Sequence, residues 1–216
     1  MPAGKKRKGF PKANTPWQRP RPKSLYKKIL ALALLFSAAS ESIYPQDTML
    51  IEIVPFGSVN ETVLGYLKEN LGKGFNARVS IGQPRPLPEY AFNKTRGQYQ
   101  ASAILDNLTK VKKDARQKIL AIIDKDLCAP DLNFVFGEAD PTNGVCVISI
   151  KRLRQSYYGL AEDSNLLLER GLKEAAHEMG HLLNLSHCPN PKCVMYFSNT
   201  ISDTDRKDSH FCGNCK

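Results

Sequence analysis

Short apolar, β-branched runs alternate along this chain with stretches of helical period. Met49–Val54 (MLIEIV) predicts a first strand. Val63, Leu64, Leu67 and Leu71 recur at three- and four-residue intervals and predict a helix; Ser58 stands as its cap, with Glu61 completing a capping box. A second strand is expected over 75–81, followed by PRPLPEY, a loop by its prolines. Residues 98–111 predict a helix with Ile104, Leu105 and Leu108 inward, and 118–123 a short buried strand. Leu132–Phe136 and Val145–Ile150 read as strands joined by a loop containing EADPTNG, a favourable turn sequence. The last long helix is expected over Asn165–Leu183, capped by Ser164. Strands alternating with helices predict an α/β fold with α+β character, a twisted mixed sheet flanked by helices.

A length of 216 residues suits one domain plus an extension. The domain is placed at 49–216, its last part, 188–216, being cysteine-rich and polar. The net charge of +10 looks like a nucleic-acid signal until it is located: residues 1–28 hold ten Lys or Arg and no acid, and the remainder is balanced at 21 of each sign. The body therefore offers no electrostatic reason to expect an acidic polymer as partner. The segment 1–48 opens with a Pro-rich, basic head, residues 1–23, that is expected to be disordered. The apolar run Ile29–Ala39 ends in small residues and is similar to a secretory signal segment. It is short for a membrane span, so membrane contact is expected only if 29–39 is retained as an anchor. The rival reading is a mis-called start at a chain that truly opens near Met49. Thiolate metal sites are easiest to keep filled in a reducing compartment, which favours a cytoplasmic protein over a secreted or anchored one. Asn-x-Ser/Thr at Asn60, Asn93, Asn107 and Asn184 is read as coincidence.

The densest chemistry lies between His177 and Cys215. His177 and His181 are four apart, which on a helix stacks them on one face about 6 Å apart along the axis, within reach of one ion. Glu178 points elsewhere around the helix, poorly placed as a ligand but well placed to act as general base on a metal-bound water. His187 is the candidate third ligand. A continuous helix would carry it about 9 Å further along the axis, so the helix must break, and Asn184 is the expected breaker because Asn tolerates left-handed backbone. Three protein ligands leave an open position, the pattern of a catalytic zinc. Cys188, Cys193, Cys212 and Cys215 form two close pairs around a loop, a four-thiolate pattern in which protein fills all four positions. Two disulfides are the alternative. The tail after Cys188 buries little apolar area, and a structural zinc contributes on the order of 10 kcal/mol in small domains. Two zinc ions per chain are expected.

The run HEMGHLLNLSHC, followed by Cys193-Val-Met195 and by Cys212-x2-Cys215, resembles the archaemetzincins, a branch of the metzincin metalloproteases. The resemblance spans about 49–215 and includes MLIEIVPFG, LNFVFGEAD and VMYFSNTISDTD. It implies a metzincin-type mixed sheet, an active-site helix, and Met195 as the apolar floor of a turn beneath the metal. It also implies His177, His181 and His187 on a catalytic zinc, Glu178 as base, four cysteines on a structural zinc, and an edge strand within 133–150 that pairs with substrate. The family often has Gly where this chain has Asn184.

Cys128 and Cys146 are expected to be free and buried. Tyr196 is the best tyrosine candidate to donate a hydrogen bond to a reaction intermediate, ahead of Tyr157 and Tyr158, with packing as the plainer role for each. The expected function is hydrolysis of a peptide or protein substrate by Glu-assisted attack of zinc-bound water. The rivals are a metal-holding scaffold without proteolysis and a binding module that uses the four-cysteine segment on nucleic acid or protein. Exo- or endopeptidase action and oligomeric state are not legible in the residues.

Overall fold

Five strands form the main sheet of the computed structural model, which describes residues 48–215. β1 (Met49–Phe56) lies between β2 (Ala77–Ile81) and β5 (Gln117–Ile123), all parallel. β8 (Val145–Ser149) extends the sheet parallel to β5, and β7 (Gly137–Asp140) closes it antiparallel to β8, giving the order β2-β1-β5-β8-β7. A smaller sheet joins β3 (Phe92–Asn93), β4 (Gln98–Gln100) and β6 (Leu127–Cys128). The basic head and the 29–39 segment lie outside the described residues. Among the described residues no helix is long and apolar enough to cross a membrane.

The central strands are buried on both faces, as parallel strands covered by helices must be. Along β5 the side chains alternate. Leu120 and Ile122 join a core with Ile51, Ile53, Cys146 and Ile148. Ile119, Ala121 and Ile123 join another with Val54, Val145 and Val147. The first core is covered by α1 (Glu61–Gly74), through Leu64, Leu67 and Leu71, and by α3 (Ser164–His181), through Ala175, Ala176 and Met179. The second is covered by α2 (Ala101–Val111), through Ile104, Leu105 and Leu108. A short helix, α4 (Ile201–Arg206), lies in the tail.

The structure corrects several boundaries. Asn60, not Ser58, caps α1, accepting from the Thr62 N–H at 2.7 Å. β2 begins at Ala77 because Asn76 takes a left-handed turn at φ 47°. Gln98–Gln100 is strand, and the helix starts at Ala101. Asp163 rather than Ser164 caps α3, accepting from Leu166 N–H at 3.0 Å. Leu132–Phe136 is irregular apart from a bridge between Val135 and Leu127, and the strand of this region is Gly137–Asp140. GEAD looks like a turn because an edge strand needs few apolar residues.

The cap assignment is testable by denaturant unfolding. Asn60→Ala is expected to lower stability by about 1 kcal/mol and Ser58→Ala to leave it near unchanged; equal losses would contradict the assignment.

Candidate metal centre and catalytic cleft

The end of α3 carries the first two histidines, one turn apart, with their Nε2 atoms 3.2 Å from each other. Each ring is held from behind by a backbone carbonyl. His177 Nδ1 donates to Val194 O at 2.7 Å, and His181 Nδ1 donates to Leu185 O at 2.8 Å. With the single proton of each neutral imidazole on Nδ1, both Nε2 lone pairs face one point. Burial pushes all three imidazoles toward the neutral form. His177 falls to about 2, the cationic Lys207 adding to the effect. His181 and His187 are also lowered, mainly by burial.

The third histidine reaches the same point because the helix stops. Leu185 N–H donates to Gly180 O at 3.1 Å and Asn184 N–H to His181 O at 2.8 Å, a Schellman closure with Asn184 left-handed at φ 63°. The chain then turns back, and one ligating nitrogen from each of His177, His181 and His187 lies within 4.8 Å of the others. Three nitrogens about 2.1 Å from a tetrahedral zinc stand about 3.4 Å apart, so the His177–His181 spacing fits that ion.

Glu178 is buried beside this cluster, its carboxylate packed on Gly137 of the edge strand. A Cβ on Gly137 would lie 2.5 Å from Glu178 Oε1, so the close approach needs glycine. Burial raises the Glu178 pKa well above the carboxylate range; Glu174 adds to the rise and Lys207 opposes it. A cleft of about 190 Å³ opens over these groups. It is lined by Phe134, Phe136 and Gly137 from the chain entering the edge strand, by Phe197 and Ser198 from the tail, and by His177 and Glu178 from α3.

The tail supplies the floor. Met195 is fully buried and packs on Gly180, where any side chain would meet its Sδ and the Phe211 ring. Cys188 N–H donates to Met195 O at 2.9 Å, and Val194 N–H to His210 O at 3.0 Å. The four cysteine sulfurs lie within 4.8 Å of one another, and all are free thiols. Cys188 and Cys212 are 3.7 Å apart at Sγ, close to the edge of about 3.8 Å expected when four sulfurs sit 2.3 Å from a zinc. The donor set and spacing fit a tetrathiolate metal rather than disulfides.

Some predicted residues stand elsewhere. Tyr196 is half-buried and does not line the cleft, where Phe197–Asn199 stand instead. Tyr158 donates to Arg152 O at 3.0 Å and stacks edge-on with Tyr157; neither lines the cleft. Cys128 and Cys146 are free and buried, in β6 and β8. The residues the sequence reading missed are Gly137, the cleft walls, and a buried ion pair in which Lys207 Nζ stands 3.1 Å from Glu174 Oε1. Glu174, one turn before Glu178, was visible as a carboxylate on the histidine side of the helix; nothing near Lys207 marked it.

The model of peptidase family M54 matches residues 50–216. The chain belongs to peptidase family M54. An archaemetzincin of Pyrococcus furiosus is 41% identical to this M54 chain over 172 residues, covering 77% of it and 90% of the relative. Among solved structures, an archaemetzincin of Methanopyrus kandleri superposes with a TM-score of 0.69 at 35% identity, covering 80% of this chain and 94% of that one. A zinc-dependent peptidase of Methanocorpusculum labreanum gives a TM-score of 0.69 at 33% identity, covering 76% and 97%. These likenesses agree with the expected fold class, a mixed sheet with flanking helices.

The left-handed turn makes a specific demand on position 184. Asn184→Gly is expected to keep the unfolding free energy, measured by denaturant titration, within about 0.5 kcal/mol of the parent, and Asn184→Ala to lower it by about 1 kcal/mol. An alanine variant as stable as the glycine variant would contradict the role given to the turn.

Proposed function

We propose that this M54 peptidase is a zinc metallopeptidase holding two ions per chain. His177, His181 and His187 bind the catalytic ion, and Cys188, Cys193, Cys212 and Cys215 the structural one. The observation that carries the reading is the convergence of one ring nitrogen from each of three histidines, two of them with Nδ1 committed to carbonyls, next to a buried carboxylate at an open cleft. Zinc, when bound, acts as a Lewis acid that acidifies a water and polarises the scissile carbonyl. Glu178 is the general base. Its burial makes the carboxylate a stronger base than a solvated one, suited to accept the water proton and to return it to the departing amine. No side chain of the cluster needs to become covalently attached to substrate.

The substrate is a peptide lying extended along β7. As the edge strand, β7 offers backbone groups to an added strand, and the Phe134–Gly137 stretch that leads into it walls the cleft. Met195 and Gly180 set the floor by close packing, and Asn184 sets the bend that delivers His187. Tyr196 contributes through its backbone at the same turn.

Glu178→Gln is expected to keep both ions, counted by mass spectrometry of the metal, while cleavage of a mixed peptide library falls by roughly 10²–10⁴-fold. Cleavage at the parent rate would contradict the assignment of the base. Cys212→Ser is expected to lose zinc and melt at a lower temperature; full zinc content with an unchanged melting temperature would contradict the structural site.

A further inference from the structure

Lys207 is among the most deeply buried side chains described, with 0% of its side chain exposed, and Glu174, its partner, is 3% exposed. Their contact is 3.1 Å, and Thr204 Oγ1 donates to the same Glu174 oxygen at 2.8 Å. Lys207 Nζ also stands 3.5 Å from Tyr196 O, the carbonyl directly after Met195. A buried ion pair is no better for stability than apolar residues of the same volume, so its presence asks for another reason.

The reason lies in what the two residues join. Glu174 is one turn before Glu178 on α3, next to the turn that carries His177, and lines the cleft with both. Lys207 follows α4 and leads into the irregular stretch where Val194 N–H meets His210 O, just before Cys212 and Cys215. Val194 is also the residue whose carbonyl holds the His177 ring. One ammonium thus touches both structures that orient His177: the helix beneath it and the Met195 turn behind it. Charge gives a second reason. Glu174 alone would be a second free carboxylate in the cleft, one turn from Glu178, able to compete for a dication. Lys207 alone would be a buried cation repelling one. Paired, they cancel each other and leave Glu178 as the uncompensated carboxylate of the helix face. The bidentate pair of Arg170 with Asp205, at 2.7 Å for each oxygen, fastens α3 to α4 nearby, so the tail is already attached without Lys207.

We propose that Lys207 and Glu174 are positioning residues that lock the Met195 turn against the active-site helix and so set the orientation of His177 and Glu178 for catalysis. The proposal rests on the zinc peptidase reading above; its spectroscopic test needs the three-histidine metal site but no peptide cleavage.

The test compares Lys207→Met, the double variant Lys207→Met with Glu174→Gln, and Thr204→Val. The double variant removes both charges while retaining an acceptor for Thr204. It is expected to hold its full zinc content and melt within a few degrees of the parent. Its kcat is expected to fall by about 10–100-fold with KM within about threefold. With cobalt exchanged into the three-histidine site, its visible absorption bands are expected to shift from those of the parent. Lys207→Met alone, with Glu174 unpaired, is expected to lose more stability than the double variant. Thr204→Val keeps both charges and is expected to lower kcat in the same direction by a smaller factor. It carries the test if the double variant does not fold, and an unchanged kcat and cobalt spectrum in it would then overturn the proposal. A double variant that regains both stability and parent-like kcat, with an unchanged cobalt spectrum, shows a purely structural pair and overturns the proposal. If the parent cleaves no peptide, the peptidase reading fails and the cobalt spectrum alone decides the positioning claim.

Discussion

A neutral imidazole has one N–H and one lone pair, and the arrangement of this protein follows from where the N–H groups go. His177 donates its Nδ1–H to Val194 O and His181 its Nδ1–H to Leu185 O, which leaves both Nε2 atoms as acceptors 3.2 Å apart. Two lone pairs facing each other at that distance repel unless a cation lies between them. The two carbonyls come from different places. Leu185 is delivered by the left-handed turn at Asn184, Val194 by the tail folding back under the helix. Helix end, bend and tail must therefore be correct together before the metal has a site.

That requirement explains why a polar tail is so heavily fastened. The Arg170–Asp205 fork, the Met195 packing on Gly180 and the Lys207–Glu174 pair tie residues after 188 to the active-site helix, and four thiols within 4.8 Å of one another tie the two ends of the tail together. A tail held only by its few apolar groups would leave Val194 O, and hence the His177 ring, without a fixed position. The sheet does the corresponding work on the other side. β7 ends the sheet at Gly137, and only a residue without a side chain admits the Glu178 carboxylate there.

The parts legible in the sequence were those set by local spacing. His177 and His181 four apart, His187 after a necessary break, and two cysteine pairs around a loop each imply a geometry by themselves. The apolar periodicity of Leu64, Leu67 and Leu71, or of Ile104, Leu105 and Leu108, likewise identified buried helix faces without knowledge of the partner. What stayed hidden depends on residues far apart. GEAD has the composition of a turn and becomes a strand only because β8 offers a partner. Gly137 matters only through Glu178, forty-one residues later in the chain. Lys207 sits in DTDRKDS, a run that looks like solvated surface, and its burial comes from a carboxylate thirty-three residues earlier. Caps were misassigned by one or two residues for a related reason. Ser58 and Asn60, or Asp163 and Ser164, are all good caps, and packing of the helix chooses between them.

The central claim is that one fold holds two ions with different coordination, an open three-histidine site and a closed four-thiolate site. A zinc-edge anomalous difference map from crystals of the intact chain tests it most directly. The account predicts two peaks, one among the Nε2 atoms of His177, His181 and His187 with no fourth protein ligand, and one among the sulfurs of Cys188, Cys193, Cys212 and Cys215. A single peak, or a protein side chain closing the fourth position of the histidine site, would contradict it.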